Sequence, residues 1–173
     1  TVQKTTAQAC IADYFFTAYK GVYDQRISRS ITTSRQELIT VGSVFYQKDE
    51  MYFTDGWITK ITAQGNILWS KRYSFPRHNV VAFHDILLLP DSTYFIVGTV
   101  SYLWPIDTLQ YSRDHWGILL HIDKQGRMLS STQLSARFEP LVEQTTLQSI
   151  SKTSNGDFIL CGVVTDPRNS RST

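Results

Sequence analysis

A chain of 173 residues, 42% hydrophobic, 13% aromatic and 18% charged, holds enough apolar surface for one domain with a sizeable core and too much for disorder. A formal charge of +2 with no cluster of lysines and arginines excludes an electrostatic binder of nucleic acid or of an anionic membrane. No apolar run approaches the roughly 20 residues of a membrane helix, so the chain reads as soluble, and a start at Thr1 without a signal-like segment suits a processed protein or an excised segment alike.

In chain order, residues 15–21 (Phe-Phe-Thr-Ala-Tyr-Lys-Gly) resemble the later run Leu68-Trp69-Ser70-Lys71-Arg72-Tyr73 and read as a lone outer strand, type d. Residues 34–42 are a polar turn feeding an apolar strand that ends in Gly42, type b. Residues 43–54 read as a long b–c loop carrying Phe45, Tyr46, Tyr52 and Phe53, with Lys48-Asp49-Glu50 as a solvated stretch. Residues 55–69 read as strand c, a tight turn at Gln64-Gly65 and strand d, the glycine supplying the positive φ that a hairpin turn needs.

The pattern then starts again. A d–a connection over residues 74–79 leads to the apolar run 80–89, a strand of type a. Residues 90–98 repeat the b phrase and end at Gly98, residues 101–113 form a second long loop with Tyr102, Leu103, Trp104, Pro105 and Tyr111, and residues 114–129 repeat the c–d hairpin at Gln125-Gly126. After a connection over residues 135–143, residues 147–151 alternate as another strand a, and residues 154–162 give a third b phrase ending at Gly162. The three b-strand glycines lie 56 and 64 residues apart, and Gly65 and Gly126 lie 61 apart.

Self-similarity at this period, with four strands per copy and no helical periodicity, predicts an all-β fold of four-stranded antiparallel meanders, the blades of a β-propeller. The expected units are an N-terminal segment with an outer strand over residues 1–20, blades over 21–73 and 74–134, and a half blade over 135–173. A ring needs about four or more blades. The expectation is therefore an incomplete part of a larger propeller, with its edges completed by the remainder of that propeller or by another chain, self-association included.

The hairpin beginning Thr33-Ser34 and ending at Gly42, followed by Asp55-Gly56-Trp57-Ile58, Lys60-Ile61, Gly65-Asn66 and Trp69, resembles the blade repeats of secreted propeller proteins abundant in Bacteroidota. The likeness spans roughly residues 13–164; the second copy departs from it with Leu89-Pro90 for Thr-Ser and Ser130 for the final Trp. This resemblance implies export, often by the type IX secretion route, and a secreted or cell-surface location. Quinoprotein-type propellers carry a similar Gly-x-x-x-Trp signature, which supplies the competing expectation of a propeller enzyme.

Connections in a meander alternate between its two ends, so the short a–b and c–d turns share one end and the long loops the other. Function is expected at the loop-rich end. There Phe45, Tyr46, Tyr52, Tyr102, Trp104 and Tyr111 form a candidate platform for a protein or glycan, since aromatic rings bury much area at small entropic cost. The competing expectation is that they pack over the blade tops. Trp57, Trp69 and Trp116 read as interblade core.

His78, His84, His115 and His121 lack metal-ligand spacing and a triad-like carboxylate, and the chain carries no cofactor signature. Asp55 and Asp114, each shortly before a strand-c Trp, read as hydrogen-bonded to a neighbouring loop, with Ca²⁺ ligation the lesser alternative. Cys10 and Cys161 read as buried thiols, one disulfide being the alternative. The sum is a non-enzymatic scaffold or recognition module. An enzyme would need carboxylates converging on a central channel, for which Asp24, Asp85 and Glu143, near the starts of the a strands, are the candidates.

Overall fold

The computed structural model describes residues 24–48, 51–107, 110–135, 137–138, 141–142 and 144–165; the expected strand over residues 15–21, Cys10 and Glu143 lie outside them. Runs rich in Ile, Val, Thr and aromatic residues make every described element a strand. Strands β1 (Asp24–Thr32), β2 (Leu38–Lys48), β3 (Met51–Ile61) and β4 (Ile67–Tyr73) pair in sequence as one antiparallel meander. Strands β5 (Val80–Leu88), β6 (Tyr94–Asp107), β7 (Gln110–Ile122) and β8 (Met128–Leu134) form a second. A small hairpin, β9 (Arg137–Phe138) with β10 (Leu141–Val142), precedes a two-stranded third unit, β11 (Gln144–Lys152) with β12 (Phe158–Thr165). One parallel bridge, Thr54 to Val80, joins the two meanders into an eight-stranded sheet, and the described strands close no ring.

The units stack face on face. Ile39, Val41 and Ile58 of the first meander share one buried cluster with Val81, Phe83, Tyr94, Ile96, Ile118 and Leu120 of the second. The opposite face of the second meander, through Val97, Phe95 and Leu119, packs on Leu147, Ile150 and Leu160 of the third unit. Gly56 and Gly117 mark the close approach: a Cβ on Gly56 would lie 2.4 Å from the Phe83 ring, and one on Gly117 2.7 Å from Leu147.

The repeated b-strand glycine has a steric cause. In each unit strand a carries a β-bulge, between Ile27 and Arg29, Phe83 and Asp85, and Leu147 and Ser149. Gly42, Gly98 and Gly162 face those bulges, where a Cβ would stand 1.9 Å from the Arg26 carbonyl, 2.1 Å from that of Ala82 and 2.0 Å from that of Thr146. A side chain has no room there, so the repeat keeps glycine.

All the short turns share one geometry, a type I turn closed by a residue in the left-handed region. In each, the first residue's N–H donates to the carbonyl four residues on, and the fourth residue's N–H returns to the first carbonyl, at residues 33–37, 62–66, 89–93, 123–127 and 153–157. The fourth residue has positive φ: Gln36 (59°), Gly65 (87°), Ser92 (65°), Gly126 (72°) and Gly156 (96°). The expectation for Gln64-Gly65 and Gln125-Gly126 holds.

Three expectations are corrected. Residues 43–54 and 101–113 are not long loops: β2 and β3 stay paired out to Lys48 and Met51, and β6 and β7 out to Asp107 and Gln110. Val44-Phe45-Tyr46 against Tyr52-Phe53-Thr54 continues the ladder, and Pro105 is accommodated at a bulge. Second, Asp55 and Asp114 are not equivalent. Gly42 pairs with Trp57 and Gly98 with Ile118, so Trp57 corresponds to Ile118 and Trp116 to Asp55, a two-residue slip from the Asp-x-Trp match. Third, Cys161 is a free, exposed thiol on the uncovered face of β12, not a buried one.

Candidate functional site

The expected b–c end consists of two strand arms. β1 stops pairing at Phe45 and β4 at Gly56, leaving residues 46–48 and 51–53 as a two-stranded extension; β5 stops at Ser101 and β8 at Gly117, leaving a second arm on β6–β7. Register assigns the faces. Phe45 continues the row Ile39, Val41 that faces the second meander, and Tyr52, opposite Gln47, lies on that same face. Tyr102 continues the row Tyr94, Ile96, Val100 that faces the first. By register, Phe45 and Tyr52 thus lie on the face of the first arm that looks to the second meander, and Tyr102 on the face of the second arm that looks to the first.

These residues differ in what holds them. Tyr52 is 73% exposed and Phe45 39%, with the Arg26 guanidinium 5.8 Å from the Phe45 ring. Tyr102 is half-buried. Tyr46 points to the other face and is part of a built cluster: it stacks on Phe53 at 5.5 Å, lies under the Arg72 guanidinium at 4.4 Å, and donates to Asp55 Oδ1 at 3.3 Å. Desolvation pushes its phenol above the ordinary tyrosine value, reinforced by the Asp55 charge. Asp55 also accepts from Arg72 Nε (3.0 Å) and Nη2 (2.6 Å), so its bonds stay within its own meander instead of reaching a neighbouring loop. Trp104 and Tyr111 lie on β6 and β7, opposite Ser112 and Pro105; their side chains are outside the described set.

The remaining candidates are structural. Trp57 is buried and donates from Nε1 to Ser70 Oγ at 2.9 Å. Trp69 bridges to the second meander through Nε1 to the Lys124 carbonyl at 3.1 Å, and Trp116 stacks on His78 at 5.3 Å. His84 lies 3.2 Å from Thr99 Oγ1, His115 2.8 Å from Ser101 Oγ and His121 2.8 Å from Thr93 Oγ1. Among the described residues no group of three His, Cys, Asp or Glu is placed to hold a metal. Of the three channel carboxylates only the Asp85 side chain is described. It is buried and accepts from the Ile86 N–H (2.9 Å), Ser149 Oγ (2.8 Å) and the Ile150 N–H (3.0 Å), a structural tie.

Sequence reasoning missed a second concavity, at the opposite, short-turn end. A cleft of about 480 Å³ opens between the first two meanders, lined by Arg35, Glu37, Lys60, Trp69, Tyr94 and Lys124 among others. Its charged pair joins Lys60 Nζ to Glu37 Oε2 at 2.7 Å, and Thr33 Oγ1 donates to the same oxygen at 3.2 Å. The bond from Lys60, more than any other influence, holds the Glu37 carboxyl below its usual range. The sequence signal was Lys60, a lysine set between Ile58 and Ile61 at the end of strand c. No protein-family model matches the chain, and no curated protein matches it.

Proposed function

We propose that the meanders are blades of a larger β-propeller and that the chain serves as a non-enzymatic recognition module of a secreted or cell-surface protein. The carrying observation is the pair of strand arms whose facing sides carry Phe45 and Tyr52 on one and Tyr102 on the other, above two stacked meanders. Exposed aromatics at one edge of a rigid scaffold are the usual anchors of a protein or glycan interface. The Asp85 carboxylate is buried and tied to the Ile86 and Ile150 amides and to Ser149, which supports a structural role for it over that of a channel acid.

Two experiments test the reading. Wild type and a Phe45→Ser/Tyr52→Ser variant are compared on immobilised glycans and on extracellular proteins; loss of signal at unchanged melting temperature supports the arms as the recognition surface. Binding that survives both substitutions sinks it. A structure of the protein isolated from its source should relate successive meanders by rotation about one axis; a purely translational stack would remove the propeller assignment.

A further inference from the structure

Three positions at the turn-end cleft between the first two meanders have equivalents between the second meander and the third unit, and all three differ. Register equates Glu37 with Thr93, Lys60 with His121, and Trp69 with Ser130. Between the second and third units the pair is a hydrogen bond between His121 Nε2 and Thr93 Oγ1 at 2.8 Å, with a small serine on the adjoining strand. In the first cleft the same places hold an ion pair and an indole. Burying such a pair, with side chains only 11% and 17% exposed, gains little for stability over neutral packing. A fold that satisfies the position cheaply in one repeat and expensively in the next has a reason other than folding.

The chemistry of the walls states what fits. The cleft's volume lies in the range of small-ligand sites. Trp69 offers an apolar ring fixed in place by its Nε1 bond to Lys124, and Lys60 with Glu37 offers adjacent donor and acceptor groups above the buried Tyr94. Glu37 is paired with Lys60, whereas Asp91 accepts from the N–H (3.1 Å) and hydroxyl (2.7 Å) of Thr93 through one oxygen and keeps its charge. Beyond the Lys60–Glu37 pair, the lining carries the exposed cations Arg35 and Lys124 against the one carboxylate of Asp91, which leaves the cleft net positive.

We propose that this cleft binds an acidic saccharide: a pyranose ring on the Trp69 indole, hydroxyls on the Lys60–Glu37 pair, and a carboxylate drawn to Arg35 and Lys124. Ring stacking on an indole and charge-assisted hydrogen bonds together give affinity and orientation. The site is separate from the strand arms and stands or falls without them.

The test uses the full chain, ¹⁵N-labelled, titrated with galacturonate, glucuronate and mannuronate disaccharides and with their neutral methyl esters. Saturable shifts of the Trp69 indole N–H with at least one uronate, weakened roughly tenfold or more by the ester and by Arg35→Ala/Lys124→Ala, are the expected result. Trp69→Phe should abolish binding, with its melting temperature checked in parallel, while Phe45→Ser/Tyr52→Ser leaves it unchanged. No saturable shift with any uronate, equal binding of the ester, or binding indifferent to Trp69→Phe overturns the proposal.

Discussion

Arg29 and Asp85 occupy the same place in successive repeats, one residue past the bulge, and Arg29 Nε lies 3.4 Å from Asp85 Oδ1. The third member of the series, Ser149, bonds the other carboxylate oxygen at 2.8 Å. One row of equivalent positions thus reads Arg, Asp, Ser and becomes a polar chain across β1, β5 and β11. The bulge makes this possible by turning the following residue along the stack, where it meets its own counterparts.

Replacing Asp85 by Ala should cost about 2–4 kcal/mol, because the Ile86 and Ile150 amides lose a buried acceptor. Arg29→Gln should cost less than about 1 kcal/mol, since the Arg29 side chain is 62% exposed and its ion pair is screened. Urea unfolding of both variants checks the ranking. Equal losses would mean that charge, not the amide bonds, ties the units together.

Gly42→Ala and Gly98→Ala should each destabilise by about 3 kcal/mol or more, since the new methyl meets a backbone carbonyl that cannot move without undoing the bulge. Gly156→Ala meets nothing within 4 Å and should cost only the roughly 1 kcal/mol of its positive φ. Thermal unfolding separates the two classes; similar costs at all three sites would show that the bulge yields.

At the turns the direction reverses. Gln36 and Ser92 stand where the other three turns have glycine, at φ of 59° and 65°. Gln36→Gly and Ser92→Gly should each stabilise by roughly 0.5–1 kcal/mol, the relieved strain outweighing the extra freedom of glycine in the unfolded chain. A lowered melting temperature in either variant would count against strain at that turn.

The meander order was legible because Gly42, Gly98 and Gly162 are forced by sterics and so recur at a readable spacing. The bulge behind them was not, because its cause is a carbonyl on another strand. Nor was the true register of strand c. The Asp-x-Trp match of Asp55 with Asp114 looked like a repeat, whereas pairing sets Trp57 beside Gly42 and Ile118 beside Gly98. The arms read as loops because strand b was ended at the repeat glycine and strand c begun at the Asp-x-Trp match, and the intervening residues carry no period-2 alternation that would mark them as paired strands. Lys60 and Glu37 sit far apart in sequence, and only the pairing of β2 with β3 brings them together.

The outer face of β12 should drive association. Ile159 and Val163 are 51% and 44% exposed, while their equivalents Ile39 and Ser43, and Phe95 and Thr99, are buried or half-buried between units. The strand carries no charge to blunt its edge. Ile159→Lys/Val163→Lys should lower light scattering at high concentration, with unfolding free energy changed by less than about 0.5 kcal/mol. Scattering identical to that of the unmodified chain would show that this face is not sticky.

Stability should fall with acid in two steps. His84 sits in the bulge against Thr99, and His78 is stacked on Trp116; burial holds both below the ordinary 6.5. Below that pH the unfolded chain binds protons that the folded chain resists, so stability is complete above about 6.5 and declines as pH drops toward the lower folded values. Glu37, held below its ordinary 4.5 chiefly by Lys60, contributes fully above 4.5 and loses its contribution as pH falls through the folded value. Melting temperatures from pH 8 to 3 should therefore show the upper step vanish in His78→Gln/His84→Gln and the lower one shrink in Glu37→Gln. Persistence of the upper step without both histidines would assign it elsewhere, because no other described group has a shift whose window opens near neutrality.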